Sequence, residues 1–178
     1  MTAAWLSGCT AAAGIVVLCT YADLMSDLQG NPQLTAKWWG RLNGMQAGLW
    51  GTSAALTVAA FFTVAIYHLT LDRSNNSRCD GLVLDTTLFM FTVTAALWAP
   101  ATRAGAPWDK KLSGLAATFA TAAVSIVMLC IATTALDPPW WAIVAYTMLV
   151  VHHTVLDFGV WGVYTYYCAT GAPAASLL

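Results

Sequence analysis

The stretch Trp140–Tyr167, WWAIVAYTMLVVHHTVLDFGVWGVYTYY, decides the class of fold because it is both apolar and long. A helix rises about 1.5 Å per residue, so about 20 apolar residues cross a hydrocarbon core of about 30 Å. Backbone groups in lipid must be hydrogen-bonded within the protein, and the stretch lacks the alternating pattern of a barrel strand. It therefore predicts a membrane-spanning helix.

Four more apolar runs precede this stretch and share its character. Short polar segments separate the five runs, which cover residues of about 4–26, 44–70, 82–99, 112–135 and 140–167. The third run is the shortest and ends at Pro100. The N-terminal sequence lacks the positively charged segment of a secretory signal, so we expect the first run to be retained as a helix. We predict a single all-α membrane domain over residues 1–178, a compact bundle of about five transmembrane helices with short loops and no soluble domain.

Composition excludes the soluble classes of protein. Of the 178 residues, 59% are hydrophobic and 8% are charged, whereas a soluble domain carries about 25% charged residues. A net charge of −1 without a basic stripe gives no support for binding to nucleic acid. The expected partners are the lipid bilayer and either other membrane subunits in a hetero-oligomer or further copies of the chain in a homo-oligomer.

The basic residues between the runs predict how the chain is oriented. Five spans place Arg73 and Arg78 on the side of the N-terminus. The other five basic residues fall on the opposite side: Lys37, Arg41, Arg103, Lys110 and Lys111. Basic residues are enriched in cytoplasmic loops. We therefore expect an N-terminus on the non-cytoplasmic side (intermembrane or lumenal in an organelle) and a C-terminus on the cytoplasmic side (matrix or stromal).

Three ionisable residues interrupt the fifth run. His153 and Asp157 are four residues apart and share one face of an α-helix. A charged group at this depth costs at least about 2.5–3.5 kcal/mol, so these side chains are expected to face the bundle or a partner. His152 is rotated by about 100° from His153 on an α-helix. We therefore expect that the two imidazoles do not bind one ion together.

A proton or ion relay is one hypothesis for these residues. Its candidate members are His152, His153 and Asp157, together with Asp23 at a similar depth on the first run. Histidine titrates near neutral pH, which suits proton transfer. Three weaker candidates lie near the opposite membrane surface, beyond an apolar gap: His68, Asp72 and Asp85. The structural alternative is a neutral, hydrogen-bonded His–Asp pair that fixes one helix against another.

Haem and metal binding are the second hypothesis. A bis-histidine haem needs two imidazoles at one depth, but His68 and His152 are about 15 Å apart along the membrane normal by helical rise. His68 and Asp72 could supply two metal ligands, which are too few for a site. We therefore expect no intrinsic metal or cofactor. Bound lipid is expected, and a pigment or haem would be contacted only through a partner.

The sequence HHTVLDF, residues 152–158, resembles the H-x-T-V-L-x-F stretch of the androgen-induced family of membrane lipid hydrolases. The resemblance implies intramembrane lipid hydrolysis with a threonine nucleophile and a histidine, and His152 falls on the family's histidine. The family's threonine should lie near residues 37–43, KWWGRLN, where this chain has none. An extra helix also separates the matching regions. Lipid hydrolysis is therefore a remote alternative, and no catalytic residue is assigned.

Small residues recur at a spacing of four in three of the runs, which lets helix backbones approach closely. They are Gly8 and Ala12, Gly51 and Ala55, and Gly114, Thr118 and Ala122. Short loops and an incomplete catalytic set favour a non-catalytic, structural subunit of a larger membrane complex, of a respiratory or photosynthetic type. The alternative is a small oligomeric proton or ion channel, or a transporter, that uses the His153/Asp157 pair.

Overall fold

The computed structural model describes residues 3–33, 35, 44–71, 78–105 and 113–164, and all regular structure in these residues is helical. The helices are α1 (Ala3–Gly30), α2 (Gly44–Thr70), α3 (Arg78–Gly105), α4 (Ser113–Ala135) and α5 (Trp140–Val151). A π-helical segment, His152–Tyr164, continues α5 and completes the fifth span. Five spans are long and apolar enough to cross a membrane. The predicted all-α, multi-pass membrane fold is confirmed.

The helix boundaries differ from the predicted runs at three places. Helix α1 continues beyond residue 26 to Gly30, and α3 begins at Arg78, before residue 82, and continues through Pro100 to Gly105. Proline removes one backbone hydrogen bond from a helix, but neighbouring groups in a membrane bundle can satisfy the freed carbonyl. A proline near the end of an apolar run therefore does not fix where the helix ends.

The side chains used to predict orientation lie outside the described part of the chain, and so do residues 165–178. Orientation across the membrane therefore stays a prediction.

Helix α3 packs against α1 and against α4, and α4 also packs against the fifth span. Helix α2 packs mainly against α5. Because α1 and α2 are attached to different parts of the bundle, they make little contact with each other, and a gap separates them.

Two apolar clusters hold the helices together. The first joins α2, α3, α4 and α5 through buried residues such as Val64, Leu84, Met128 and Leu149. The second is aromatic and is centred on Trp98 of α3. Its ring centroid is 5.1 Å from Tyr21, 6.0 Å from Trp50 and 5.3 Å from Trp161. Trp98 therefore connects α1, α2 and the fifth span at one level of the bundle.

The small polar residues of the core are satisfied within their own helices. The hydroxyls of Thr92, Thr118, Thr121 and Ser125 each donate to a backbone carbonyl three or four residues earlier. Such bonds need no partner on another helix. The buried histidines and aspartates cannot be satisfied in this way, so they mark the sites where helices exchange polar contacts.

Candidate functional site

The π-helical segment brings His152, His153 and Asp157 into one buried cluster. His153 Nδ1 lies 2.8 Å from Asp157 Oδ2, and His152 Nε2 lies 3.3 Å from Asp157 Oδ1. The two imidazole centroids are 5.1 Å apart. The ligand atoms of both imidazoles and of Asp157 lie within 4.8 Å of one another, which the expectation based on α-helical turns did not foresee, and whether the two imidazoles bind one ion together stays a prediction. In a π-helix the backbone bonds join residues five apart, so Asp157 lies one turn after His152.

Two glycines explain why this segment can adopt a π-helix. A Cβ at Gly159 would lie 3.2 Å from the Thr154 carbonyl oxygen, and a Cβ at Gly162 would lie 3.0 Å from the Asp157 carbonyl oxygen. Both carbonyls belong to the residue five positions earlier, which is the π-helical repeat. Gly162 also allows close packing on α4, because its Cβ would lie 3.1 Å from Thr118 Oγ1.

Helix α2 completes the cluster with two polar side chains. Trp50 Nε1 donates to Asp157 Oδ1 over 2.8 Å, and Ser53 Oγ lies 2.9 Å from His152 Nδ1. The imidazole of His153 packs edge-on against Phe91 of α3, with centroids 5.2 Å apart. His153 and Asp157 are therefore both buried. Asp157 is hydrogen-bonded to α2, and His153 packs on α3 and is hydrogen-bonded to Asp157. Burial against other helices is expected, because exposing these side chains to lipid is costly.

A second polar cluster joins three helices at the other end of α2. His68 Nε2 lies 2.6 Å from the Tyr146 hydroxyl of α5, and His68 Nδ1 lies 3.5 Å from Asp85 Oδ1 of α3. All three residues are buried. His68 Nδ1 makes no hydrogen bond within the described part of the chain. Its polar neighbour is Asp85 Oδ1, at a distance that is long for a hydrogen bond.

Two of the predicted candidates are not placed in either cluster. Asp23 is exposed on α1, next to the buried Leu24, whereas the three members of the first cluster are buried. Asp72 lies outside the described residues. The structure therefore brings together His152, His153 and Asp157, and separately His68 and Asp85.

A cavity of about 520 Å³ lies between these clusters, in the gap between α1 and α2. Its lining on α2 runs from Ala54 to Leu69, a rise of about 22 Å. His152 and His153 line its inner end, and His68 and Asp85 line its other end. Most of the remaining wall is apolar. The cavity is therefore elongated along the helices, with polar groups at both ends.

Part of the cavity lining is formed by exposed side chains. Five of its lining residues are large apolar side chains that are also exposed. On α1 these are Ile15 (63% exposed) and Leu18 (48%), and on α2 they are Val58 (43%), Phe62 (48%) and Leu69 (69%). The cavity lining therefore includes exposed apolar side chains of both α1 and α2.

Trp50 and Ser53 are the cluster members that the sequence did not predict. Tryptophans are common at membrane borders, and Trp50 lies near the start of α2. Serine is common in membrane helices as a small packing residue. Only the packing of α2 against the fifth span shows that both side chains reach the His–Asp cluster.

Comparison of the chain with protein-family models, curated proteins and solved structures found no match. The hydrolase interpretation stays a prediction, and residues 37–43, where that family's threonine is expected, lie outside the described side chains.

Proposed function

We propose that the protein binds an elongated, lipid-type molecule in the cavity between α1 and α2. The observation that supports this proposal is the cavity's apolar wall, which includes exposed side chains of both helices and has polar groups at its ends. Sites for small molecules have volumes of about 300–1,000 Å³ and mostly apolar walls with a few placed polar groups. A cavity of about 520 Å³ falls within this range.

The polar ends favour a molecule with one polar head and an apolar chain. His68 is two residues from the end of α2, so its end of the cavity lies near a membrane surface. The buried Nδ1 of His68, beside Asp85, can bond a hydroxyl, carbonyl or carboxyl head group. The chain of the ligand then extends inward along α2 toward His152 and His153.

The wall between the clusters argues against a continuous water path. It includes Phe61, Leu88, Phe91 and Leu149. A buried water needs two to four polar partners, and apolar cavities stay dry or take up apolar ligands. A proton channel between the two clusters therefore has less support than binding of an apolar molecule.

A variant with a large side chain in the cavity tests this proposal. Gly14 lines the cavity, and a Cβ there would lie 4.0 Å from Phe61 Cε1, so Gly14→Phe should project a ring into the space. The matched control is Gly48→Phe on the exposed surface of α2, where a Cβ would meet nothing within 4 Å.

The readout is labelling by a fatty acid that carries a photoreactive diazirine group. In the wild-type protein and in Gly48→Phe, the label should reach Leu88 and Phe91, which are buried from the surrounding lipid. In Gly14→Phe, labelling of these two residues should be lost. Labelling confined to outward-facing residues such as Leu49 and Ile66 in the wild-type protein contradicts the proposal.

A second candidate is a structural subunit of a larger membrane complex, and the exposure of α1 favours it. Only 6% of the first span's apolar window is buried, against 44% for the third span. The small residues Gly8 and Ala12 of α1 are exposed, whereas Thr118 and Ala122 of α4 are buried. Native mass spectrometry of the protein solubilised from its source should then find other chains bound. A single chain without partners contradicts this candidate.

A further inference from the structure

His152, His153 and Asp157 form a group of metal-ligating residues at the inner end of the cavity. Each offers one ligand atom, and these atoms lie within 4.8 Å of one another. All three residues are buried, and both histidines line the cavity. We propose that the three side chains bind one divalent transition-metal ion, Zn²⁺ or Fe²⁺, with open coordination positions toward the cavity. The proposal does not depend on which apolar molecule the cavity takes.

Two of the distances between the ligand atoms suit a small metal ion. His153 Nδ1 lies 2.8 Å from Asp157 Oδ2, and His152 Nε2 lies 3.3 Å from Asp157 Oδ1. Nitrogen and oxygen ligands at about 2.0–2.2 Å from a metal ion are about 2.8–3.6 Å apart in octahedral or tetrahedral geometry. The two distances involve different oxygens of Asp157, and the ligand atoms of all three residues lie within 4.8 Å of one another. The side chains must therefore move closer together to surround one ion.

The distribution of charge also favours a cation at this position. All seven Lys and Arg residues lie outside the five candidate spans. An ionised carboxylate deep in a bilayer is costly unless a cation pairs with it. An ionised Asp157 would therefore need a cation beside it, which a bound metal ion would supply; the alternative is the neutral, hydrogen-bonded His–Asp pair.

Two side chains of α2 are placed where a metal site needs supporting hydrogen bonds. Metal-ligating histidines usually donate the hydrogen of their second ring nitrogen to a protein acceptor, which fixes the ring and its tautomer. Ser53 Oγ, 2.9 Å from His152 Nδ1, can accept that hydrogen and leave the Nε2 lone pair for the ion. Trp50 Nε1 donates to Asp157 Oδ1 and orients the carboxylate.

The ligand types select the class of ion. Imidazole nitrogen suits zinc and iron, whereas magnesium and calcium prefer oxygen ligands. Two histidines and one carboxylate, with open positions, make a three-residue set that both Zn²⁺ and Fe²⁺ accept. Because His152 and His153 line the cavity, a polar group of a bound molecule could complete the coordination.

The test uses the full-length protein, purified without a polyhistidine tag and incubated with Zn²⁺ or, in the absence of oxygen, with Fe²⁺. After removal of loosely bound ions, elemental mass spectrometry should find one ion per chain, which is the capacity of this group. Asp157→Asn and His153→Gln should each lower the retained metal to background. The matched control, Asp137→Asn, changes an exposed aspartate and should retain the ion.

A further pair of variants keeps the test informative if the ligand variants fail to fold. Ser53→Ala should bind the ion about 10–100-fold more weakly than the wild-type protein, because it loses a supporting hydrogen bond. Ser125→Ala removes a buried serine that bonds only to its own helix in the described structure, and the metal affinity of this variant should be unchanged.

The proposal is overturned if the wild-type protein retains neither ion above background, or if folded Asp157→Asn retains as much metal as the wild-type protein. Either result favours a hydrogen-bonded His–Asp pair without a metal ion.

Discussion

His152 Nε2 lies 3.3 Å from Asp157 Oδ1 although the two residues are five positions apart. On an α-helix of 3.6 residues per turn, these side chains would leave the helix in clearly different directions. The π-helical segment places them one turn apart, and π-helical turns are rare and often occur at functional sites. The polar inner end of the cavity therefore depends on the form of the helix as well as on its residues.

The Asp157 carboxylate should stabilise the fold as a shared hydrogen-bond acceptor. Asp157→Leu leaves the donors of Trp50 and His153 without their acceptor, and each buried unsatisfied group costs about 1–3 kcal/mol. Asp157→Asn keeps one carbonyl oxygen and should cost less. Unfolding experiments in detergent measure the difference in stability between the two variants. Thr147→Val, an exposed change on the same span, should stay within about 0.5 kcal/mol of wild type. Equal costs for Leu and Asn argue against the shared-acceptor role.

Gly162 should be intolerant of a larger side chain. A Cβ there would meet the Asp157 carbonyl oxygen at 3.0 Å and Leu115 Cδ1 at 3.3 Å. Gly162→Ala should therefore destabilise the fold by about 1–3 kcal/mol, the usual cost of overpacking. Gly51→Ala is the control, because its Cβ would meet nothing within 4 Å, and the exchange should be neutral or stabilise the helix by about 0.5–1 kcal/mol. Unfolding curves that rank the two variants in the opposite order contradict the close packing.

Tyr146 should stabilise the second cluster through its hydroxyl. Tyr146→Phe removes the hydrogen bond to His68 Nε2, and it should cost about 1–3 kcal/mol in the free energy of unfolding. Tyr67→Phe is the matched control, since the Tyr67 side chain packs beside Tyr146 with ring centroids 6.5 Å apart. Its effect should be smaller, because no hydrogen bond of that hydroxyl is found within the described residues. Similar losses in both variants would show that the His68–Tyr146 bond contributes little.

The sequence predicts the fold better than the site because the two depend on different physics. Span number follows from apolar length alone, so the five helices could be predicted from the runs between polar segments. The His153–Asp157 pair follows from helical spacing. The approach of His152 depends on π-helical turns, and the contacts of Trp50 and Ser53 depend on how α2 packs. The spacing of residues in the sequence predicts neither the π-helical turns nor the packing of α2.

The orientation of the chain is open to a direct test. Five spans place the termini on opposite sides, and the basic residues predict a C-terminus on the cytoplasmic side. A protease added to sealed vesicles should remove a tag at one terminus and leave a tag at the other intact. Protection of both tags, or loss of both, contradicts an odd number of spans.

A high-resolution structure of the protein in a lipid nanodisc tests the central claim most directly. The account predicts elongated density between α1 and α2, with its polar end within hydrogen-bond distance of His68 Nδ1 and its chain directed toward His152 and His153. A cavity closed by direct packing of α1 against α2, with Phe61 and Phe62 filling the space, would contradict it.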